Sequence, residues 1–566
     1  MLLEKLLEYS EQLDLPPEMY LKTPIKWLID LDADGNLQGV VATEGKGGKK
    51  DRGKEFLAPH VARSSGVRAK LLGDTGEYVL GLARETSKPQ RIEQCHRAFV
   101  DLVRMCVETT SEPAVMAVLR FLDHLDAKAL SLPNDFVPGD VLTFRVDGVM
   151  PIDLPSVRSF WATFATGQSD DQAESAPEPM QCLVCGKDRP PVKRLPFKIK
   201  RIPGGQTSGM AIISANVPAF ESYGLEASLI APTCQECGER FSKAANDLIE
   251  NERTHITIGP IVYLFWTKDE HSFSVASLLS SPEPDEVKSL IGAAFAGKER
   301  ATAIDTMPFY ATAFSASGGR VAVRDWLDTT VEGAKQNLAR YFALQRIVER
   351  DGAESHPLGL YALASATVRD ASKELPPNVP KTLLHVGLRG GPLPMGLLFQ
   401  AVKRNRAEQG ITRPRAALIK MVLLSQQDNH NLEDTMTELD TSNRNPAYLC
   451  GRLLALLEAV QRAAIPGANT TITDRFFGTA SSAPASVFGR LLRGAQAHLG
   501  KLRRDKPGTY EALQRKLEEV QAGLKTFPKT LTLEDQGLFS LGYYHQRAAD
   551  RAAAIAYKQS KEEETA

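Results

Sequence analysis

At 566 residues the chain is too long for one hydrophobic core, and its length suggests roughly three or four folding units of about 150 residues each. Hydrophobic residues at 43% and charged residues at 24% are ordinary for a soluble globular protein and exclude wholesale disorder. The 68 basic and 69 acidic residues leave a formal net charge of −1, which argues against a uniformly basic DNA-coating protein. Any nucleic-acid surface is then confined to local patches or completed by partners.

The N-terminus places Leu2, Leu3, Leu6 and Leu7 at helical spacing with Glu4, Lys5 and Glu8 between them. This pattern predicts an amphipathic helix and lacks the basic start and unbroken apolar core of a signal peptide. Ile25-Lys26-Trp27-Leu28-Ile29 reads as a strand, with Val40-Val41 as its return. The intervening Asp30-Leu31-Asp32-Ala33-Asp34-Gly35 resembles the start of a calcium loop, but the twelfth position is Val41 where a bidentate Glu is needed. Asp34-Gly35 is therefore read as hairpin-turn chemistry.

Residues 44–54 are Gly- and Lys-rich and predict a mobile basic loop, and 167–180 are acidic and proline-bearing, as in a linker. From 181 to 330 short apolar runs such as Ile261 to Trp266 alternate with turns, an α+β pattern. Beyond 330 the periodicity is helical, over 330–350, 447–464, 487–502 and 509–525, with breaks at Pro466-Gly467, Ala483-Pro484 and Pro507-Gly508. The predicted organisation is an α+β N-terminal region (1–166), the linker (167–180), an α+β region with an inserted zinc-ribbon-like element (181–330), a helical region (331–435) and a C-terminal helical bundle (436–566). No apolar run reaches the length of a transmembrane helix, and the seven cysteines, four of them in CxxC pairs, fit a reducing cytoplasm.

Cys182-Leu183-Val184-Cys185-Gly186 and Cys234-Gln235-Glu236-Cys237-Gly238 carry the sharpest chemical signal. Each CxxC sets two thiolates on one tight turn, and the following Gly allows the backbone bend. Together they form the four-sulfur set that Zn2+ prefers, with no position left for water, so the site is read as structural. The alternatives are a redox pair and unmetallated turns. Cys95, Cys106 and Cys450 lie in apolar helical contexts and read as core.

Between the pairs, the segment 187–201 sets Lys187, Arg189, Lys193, Arg194, Lys198, Lys200 and Arg201 against one acid, Asp188. Lys193, Arg194, Lys198, Lys200 and Arg201 are assigned to phosphates, with a solvated loop or strand face as the alternative. Gly204-Gly205-Gln206-Thr207-Ser208-Gly209 follows, and lets backbone approach a duplex while Gln206 and Ser208 reach base edges. It is neither a Walker A loop nor a Rossmann fingerprint. HExxH, G-x-S-x-G and P-loop motifs are absent from the sequence, so a non-catalytic role is expected.

Several stretches together resemble a known family. They are Arg63-Ser64-Ser65-Gly66-Val67 with Gly76 to Gly81, Ser214 to Gly224, Phe314-Ser315-Ala316 with Arg320 to Trp326, Ala447 to Leu453, Thr473 to Ala480, and Pro484 to Phe488. In this order they resemble the large subunit of the type I-C CRISPR Cascade surveillance complex. The cysteine pairs are not part of the resemblance, and the metal reading rests on their spacing alone.

The resemblance implies a subunit of a guide-RNA complex, alongside a guide-processing end subunit, repeated backbone subunits and small helical subunits. It implies recognition of the protospacer-adjacent motif in double-stranded target DNA, help in opening the duplex, and a platform for a helicase-nuclease. On that basis Gln206, Ser208, Asn216 and Arg63 are the expected motif-sensing residues; Asn216 as a turn cap is the alternative. The family's small subunit arises by internal translation, for which Met436 is the expected start and Met421 the other candidate. Arg475, Arg490, Arg493, Lys501, Arg503 and Arg504 would then line a strand channel, or else solvate the bundle surface. Two other readings of the whole chain are a zinc-ribbon nucleic-acid-processing enzyme with a divergent active site, and a protein-only scaffold.

Overall fold

The computed structural model describes residues 2–43, 51–61, 63, 66–85, 87–126, 130–167, 178–215, 217–268, 273–295, 306–427 and 435–565. Asn216, Ser64-Ser65, most of the basic loop 44–54 and most of the linker 167–180 lie outside them. The chain divides into two compact units. One comprises Met1–Glu250 with Phe314–Arg324, and the other Asn251–Ala313 with Asp325–Ala566. The division falls inside the segment 181–330 of the sequence reading.

In the first unit, β1 (Tyr20–Ile25) pairs antiparallel with β4 (Lys54–Pro59). A four-stranded sheet has the order β3-β2-β6-β5, from β2 (Trp27–Leu31), β3 (Leu37–Ala42), β5 (Gly73–Thr75) and β6 (Val141–Val146). The β2–β3 hairpin turns as its sequence predicts. The Asp32 carboxylate accepts the backbone N–H groups of Asp34 (3.0 Å) and Asn36 (2.8 Å), and Gly35 takes φ +89°. β2 and β6 run parallel, so a long crossover joins them, and it carries the helices Pro89–Thr110 and Pro113–Asp123. The first of these opens on Pro89 and closes on left-handed Ser111 at φ 53°. Phe99, Phe144, Trp27, Ile29 and Trp161 form the core, and Cys95 and Cys106 are buried in it as expected.

Two short strands, β7 (Met180–Gln181) and β8 (Asp188–Arg189), make the first cysteine hairpin. The helix Gln235–Glu250 begins at the second cysteine pair.

A second four-stranded sheet has the order β12-β11-β10-β9, from β9 (His255–Ile258), β10 (Ile261–Thr267), β11 (Pro308–Ser317) and β12 (Arg320–Thr330), and belongs to the second unit except for Phe314–Arg324. Trp266, Tyr310 and Trp326 cluster on it, with Trp326 stacked on Tyr310 at 5.8 Å. Trp326 is thus a packing residue. Helices follow, and Leu338, Phe342, Leu384, Leu398 and Ile419 build their shared core. The C-terminal portion is a bundle around the helix Pro446–Ala464, which is buried on nearly all sides. The helices Ile472–Ala480, Phe488–Asp505, Pro507–Ala522 and Leu533–Thr565 surround it, with Leu453, Leu456, Phe477, Leu491, Leu502 and Phe539 inside. The fold class is therefore α+β at the N-terminal side, with a zinc-ribbon-like four-cysteine element, and mainly helical at the C-terminal side. Among the described residues no helix is long and apolar enough to cross a membrane.

Candidate functional site

The four Sγ atoms of Cys182, Cys185, Cys234 and Cys237 lie within 4.8 Å of one another, with Cys185 and Cys234 4.0 Å apart. A tetrahedral zinc with about 2.3 Å bonds separates its sulfurs by roughly 3.8 Å, so the donor set fits that ion. Local structure explains the convergence. The Gly186 N–H donates to the Cys182 carbonyl (2.8 Å), and Gly186 takes φ +72°, closing the first knuckle. The second knuckle is the helix start, where the Gly238 N–H donates to the Cys234 carbonyl (3.0 Å).

Burial raises the Cys182 thiol, but the backbone N–H groups of Cys185, Cys234 and Val184 outweigh it and bring the thiol down to about 7. Burial pushes Cys237 and Cys234 up. One sulfur is therefore poised as thiolate, and the cluster as a whole favours a cation that replaces the remaining protons.

The basic segment is anchored on the same helix. The Asn246 amide accepts the Lys200 N–H (2.8 Å) and donates to the Lys198 carbonyl (3.0 Å). Arg201 pairs with Glu250 at 3.4 Å, and Lys193 with Glu226 at 3.6 Å. Arg194 is exposed. Among the described residues no ion pair engages Lys198 or Lys200.

The glycine-rich stretch is the loop of a small hairpin, closed by two hydrogen bonds between Ile199 and Met210 (2.8 and 2.9 Å). Gly204 and Gly209 take φ +72° and +87°, and a Cβ on Gly209 would meet the Lys198 Cβ at 2.8 Å. Gln206 and Ser208 are exposed at its tip. The β11–β12 turn lies beside this loop. Val321 donates its N–H to the Ala211 carbonyl, and Gln206 Nε2 lies 3.5 Å from where a Gly319 Cβ would sit. Arg320 stacks its guanidinium 4.0 Å from the Phe220 ring centroid.

Arg63 is held elsewhere than on a free arm. Both terminal nitrogens donate to the buried Asp74 carboxylate, Nε donates to the Arg68 carbonyl (2.7 Å), and the guanidinium lies 4.1 Å from the Tyr78 ring centroid. It is a fixed cation, and it shares its surroundings with Lys70 and Lys200. Burial holds the Lys70 ammonium below its ordinary value; Asp74 opposes this, and repulsion from Arg63 and Lys200 adds to it. Burial, with Lys70 and Lys200 next, pushes His60 down to about 3. Arg63 and Lys200, far apart in sequence, thus lie within electrostatic reach of one another through Lys70.

On the bundle, Arg475, Arg490, Arg493, Lys501, Arg503 and Arg504 are all exposed, and among the described residues none forms an ion pair. Arg490 lies 4.5 Å from the Phe476 ring centroid. Met436 is half-buried against the helical core that precedes the bundle. Sequence reading did not single out Asp74, Lys70, Asn246 or the Gly318-Gly319-Arg320 turn. Only the last has a local signal, a Gly-Gly hairpin turn followed by a cation.

A family model described as CRISPR-associated protein (Cas_Csd1) matches residues 3–550. No curated protein matches the chain. With nearly its whole length matched, the chain belongs to the Csd1 family of CRISPR-associated proteins.

Proposed function

We propose that this chain is the large subunit of a type I-C guide-RNA surveillance complex. It senses the protospacer-adjacent motif in double-stranded DNA, aids duplex opening and offers a platform to a helicase-nuclease. It is not itself an enzyme. Its partners are the guide-processing end subunit, the repeated backbone subunits and small helical subunits, in the cytoplasm.

The observation that carries this reading is one surface in the first unit. There the exposed amide and hydroxyl of Gln206 and Ser208 stand on a glycine-bearing hairpin beside Lys198 and Lys200, which form no ion pair among the described residues. Cations hold phosphates at any sequence, whereas amides and hydroxyls at close range discriminate base edges. Guide pairing reads the rest of the target, so a small sensing surface on a nearly neutral protein is sufficient.

Cys182, Cys185, Cys234 and Cys237 would hold Zn2+, which when bound supplies a cross-link with no open coordination position. The exposed cations of the helices Ile472–Ala480 and Phe488–Asp505 would track a strand backbone. A product initiated at Met436 would carry this same bundle, whose core residues lie almost wholly within 447–543.

The test is binding of guide-loaded assembly containing the full chain to duplex targets with randomised flanks. A flank preference that collapses with Q206A and S208A together, while affinity on the poorest flanks persists, is the expected result. Equal binding whatever the flank would sink the proposal.

A further inference from the structure

One residue carries two unfavourable features, and among the described residues no side-chain hydrogen bond or ring contact compensates them. Tyr223 is 99% exposed, and its backbone sits at φ +55°. It precedes Gly224 at φ +71°, and the Leu225 N–H donates to the Ser222 carbonyl (2.9 Å). Positive φ at both central residues is the geometry of a type I′ turn, where Asn-Gly or Gly-Gly is favoured. A bulky side chain in the left-handed region is a real outlier, and an aromatic ring left wholly in water gives up the burial that usually justifies one. Such strain, where it persists, clusters at sites of function.

The neighbourhood indicates what the ring meets. Phe220, three residues earlier, is exposed and carries Arg320, whose neighbour Gly319 lies against Gln206. An aromatic face, a cation on a second aromatic face and a hydrogen-bonding amide are the components of a nucleobase-binding surface. Hydrophobic protein docking fits less well, because the flanking Glu221 and Ser222 are also exposed and polar.

We infer that Tyr223 stacks on a nucleobase of the target DNA beside the flank that Gln206 reads. This rests on the proposed function and adds to it a stacking residue on a different loop.

The probes are a duplex target bearing the preferred flank and a single-stranded target complementary to the guide, each titrated with guide-loaded assembly containing the full chain. Stacking on one base corresponds to a loss of about five- to hundredfold in duplex affinity for Y223G. Single-strand affinity should stay within about twofold, and Y223W should retain duplex affinity. Glycine accepts the left-handed turn, so Y223G should melt no lower than the parent, which separates lost binding from lost folding.

Unchanged duplex affinity in Y223G would overturn the inference, as would an equal loss in Y223W. A fall in the amount of chain incorporated, with affinity per assembled complex unchanged, would also overturn it and assign the turn to protein contact. Parent assembly that binds no duplex would remove the proposed function itself. Parent assembly that discriminates flanks while Y223G binds like it would remove only the stacking role.

Discussion

The helices Pro446–Ala464 and Leu533–Thr565 cross where each presents a glycine. A Cβ built on Gly542 would lie 2.1 Å from the Tyr448 carbonyl oxygen, and one on Gly451 would lie 2.0 Å from that of Phe539. Carbon and oxygen normally approach no closer than about 3.3 Å, so Gly542→Ala requires the backbones to part by roughly 1 Å. Neither obstacle is a flexible side-chain end. Overpacking of this kind costs about 3 kcal/mol or more, and the better helix propensity of Ala returns about 1 kcal/mol, for a net loss of roughly 2 kcal/mol.

The same change at Gly489 and Gly494, where nothing lies within 4 Å, should instead stabilise by about 0.5–1 kcal/mol each. Opposite signs from one chemical change within one bundle make the comparison severe. Denaturant melts followed by far-UV circular dichroism give the overall shift. Hydrogen exchange in peptides from 446–464 and 533–548 assigns it to this crossing, because a chain with two compact units need not unfold in two states. Gly542→Ala that protects those peptides as well as glycine does would refute the close-crossing argument.

Cys182→Ser or Cys234→Ser should lower zinc bound per purified chain from one toward zero and speed exchange at the start of the helix Gln235–Glu250; full zinc occupancy in both variants would contradict the four-sulfur site. Burial raises the Glu458 carboxyl, but Arg547, Tyr543 and Arg462 outweigh it and hold the group below its usual range. A depressed carboxylate contributes stability above its unfolded value and loses it as pH falls through the folded one, so the contribution should fade from about pH 4.5 downward. Glu458→Gln should cost about 3 kcal/mol at pH 7 and flatten the acid limb of the stability curve, measured by melts from neutral to acid pH. Asn246→Ala should leave zinc content unchanged while quickening proteolysis within 199–210 and lowering flank discrimination; a loop as resistant as the parent's would exclude the clamp.

Elements whose cause is local were legible. The apolar period of 447–464 and the Pro/Gly breaks mark the bundle helices, and the spacing of the two CxxC pairs marks the sulfur cluster. Gln206 and Ser208 were legible as loop residues because glycines flank them. What escaped depends on residues far apart in sequence. Arg63 is fixed by Asp74 and Tyr78, and the helix crossing relies on Gly451 meeting a carbonyl at Phe539, 88 positions away (539 − 451). No periodicity records such pairs. Likewise Phe314–Arg324 groups with the first unit although the strands that carry it continue into the second, a division that composition cannot encode.

The 48 residues between Cys185 and Cys234 (186–233) are longer than a zinc ribbon requires, and their length acquires a reason from how their ends are fixed. A free loop of that size would hold its basic residues over a wide volume, and closing it carries an entropic cost that grows only slowly with length. Here the sulfur cluster joins the loop's two ends. It also sets the first turn of the helix Gln235–Glu250, whose fourth turn presents Asn246 and whose last residue is Glu250. Those two side chains hold Lys198, Lys200 and Arg201, the base of the glycine-bearing hairpin. On the proposed function, a zinc held by the four sulfurs would bear on sensing through this one helix. It would fix the basic insert at its root, so that the Gln206 of that proposal would meet a base edge at hydrogen-bond range without ordering the whole loop at the moment of contact.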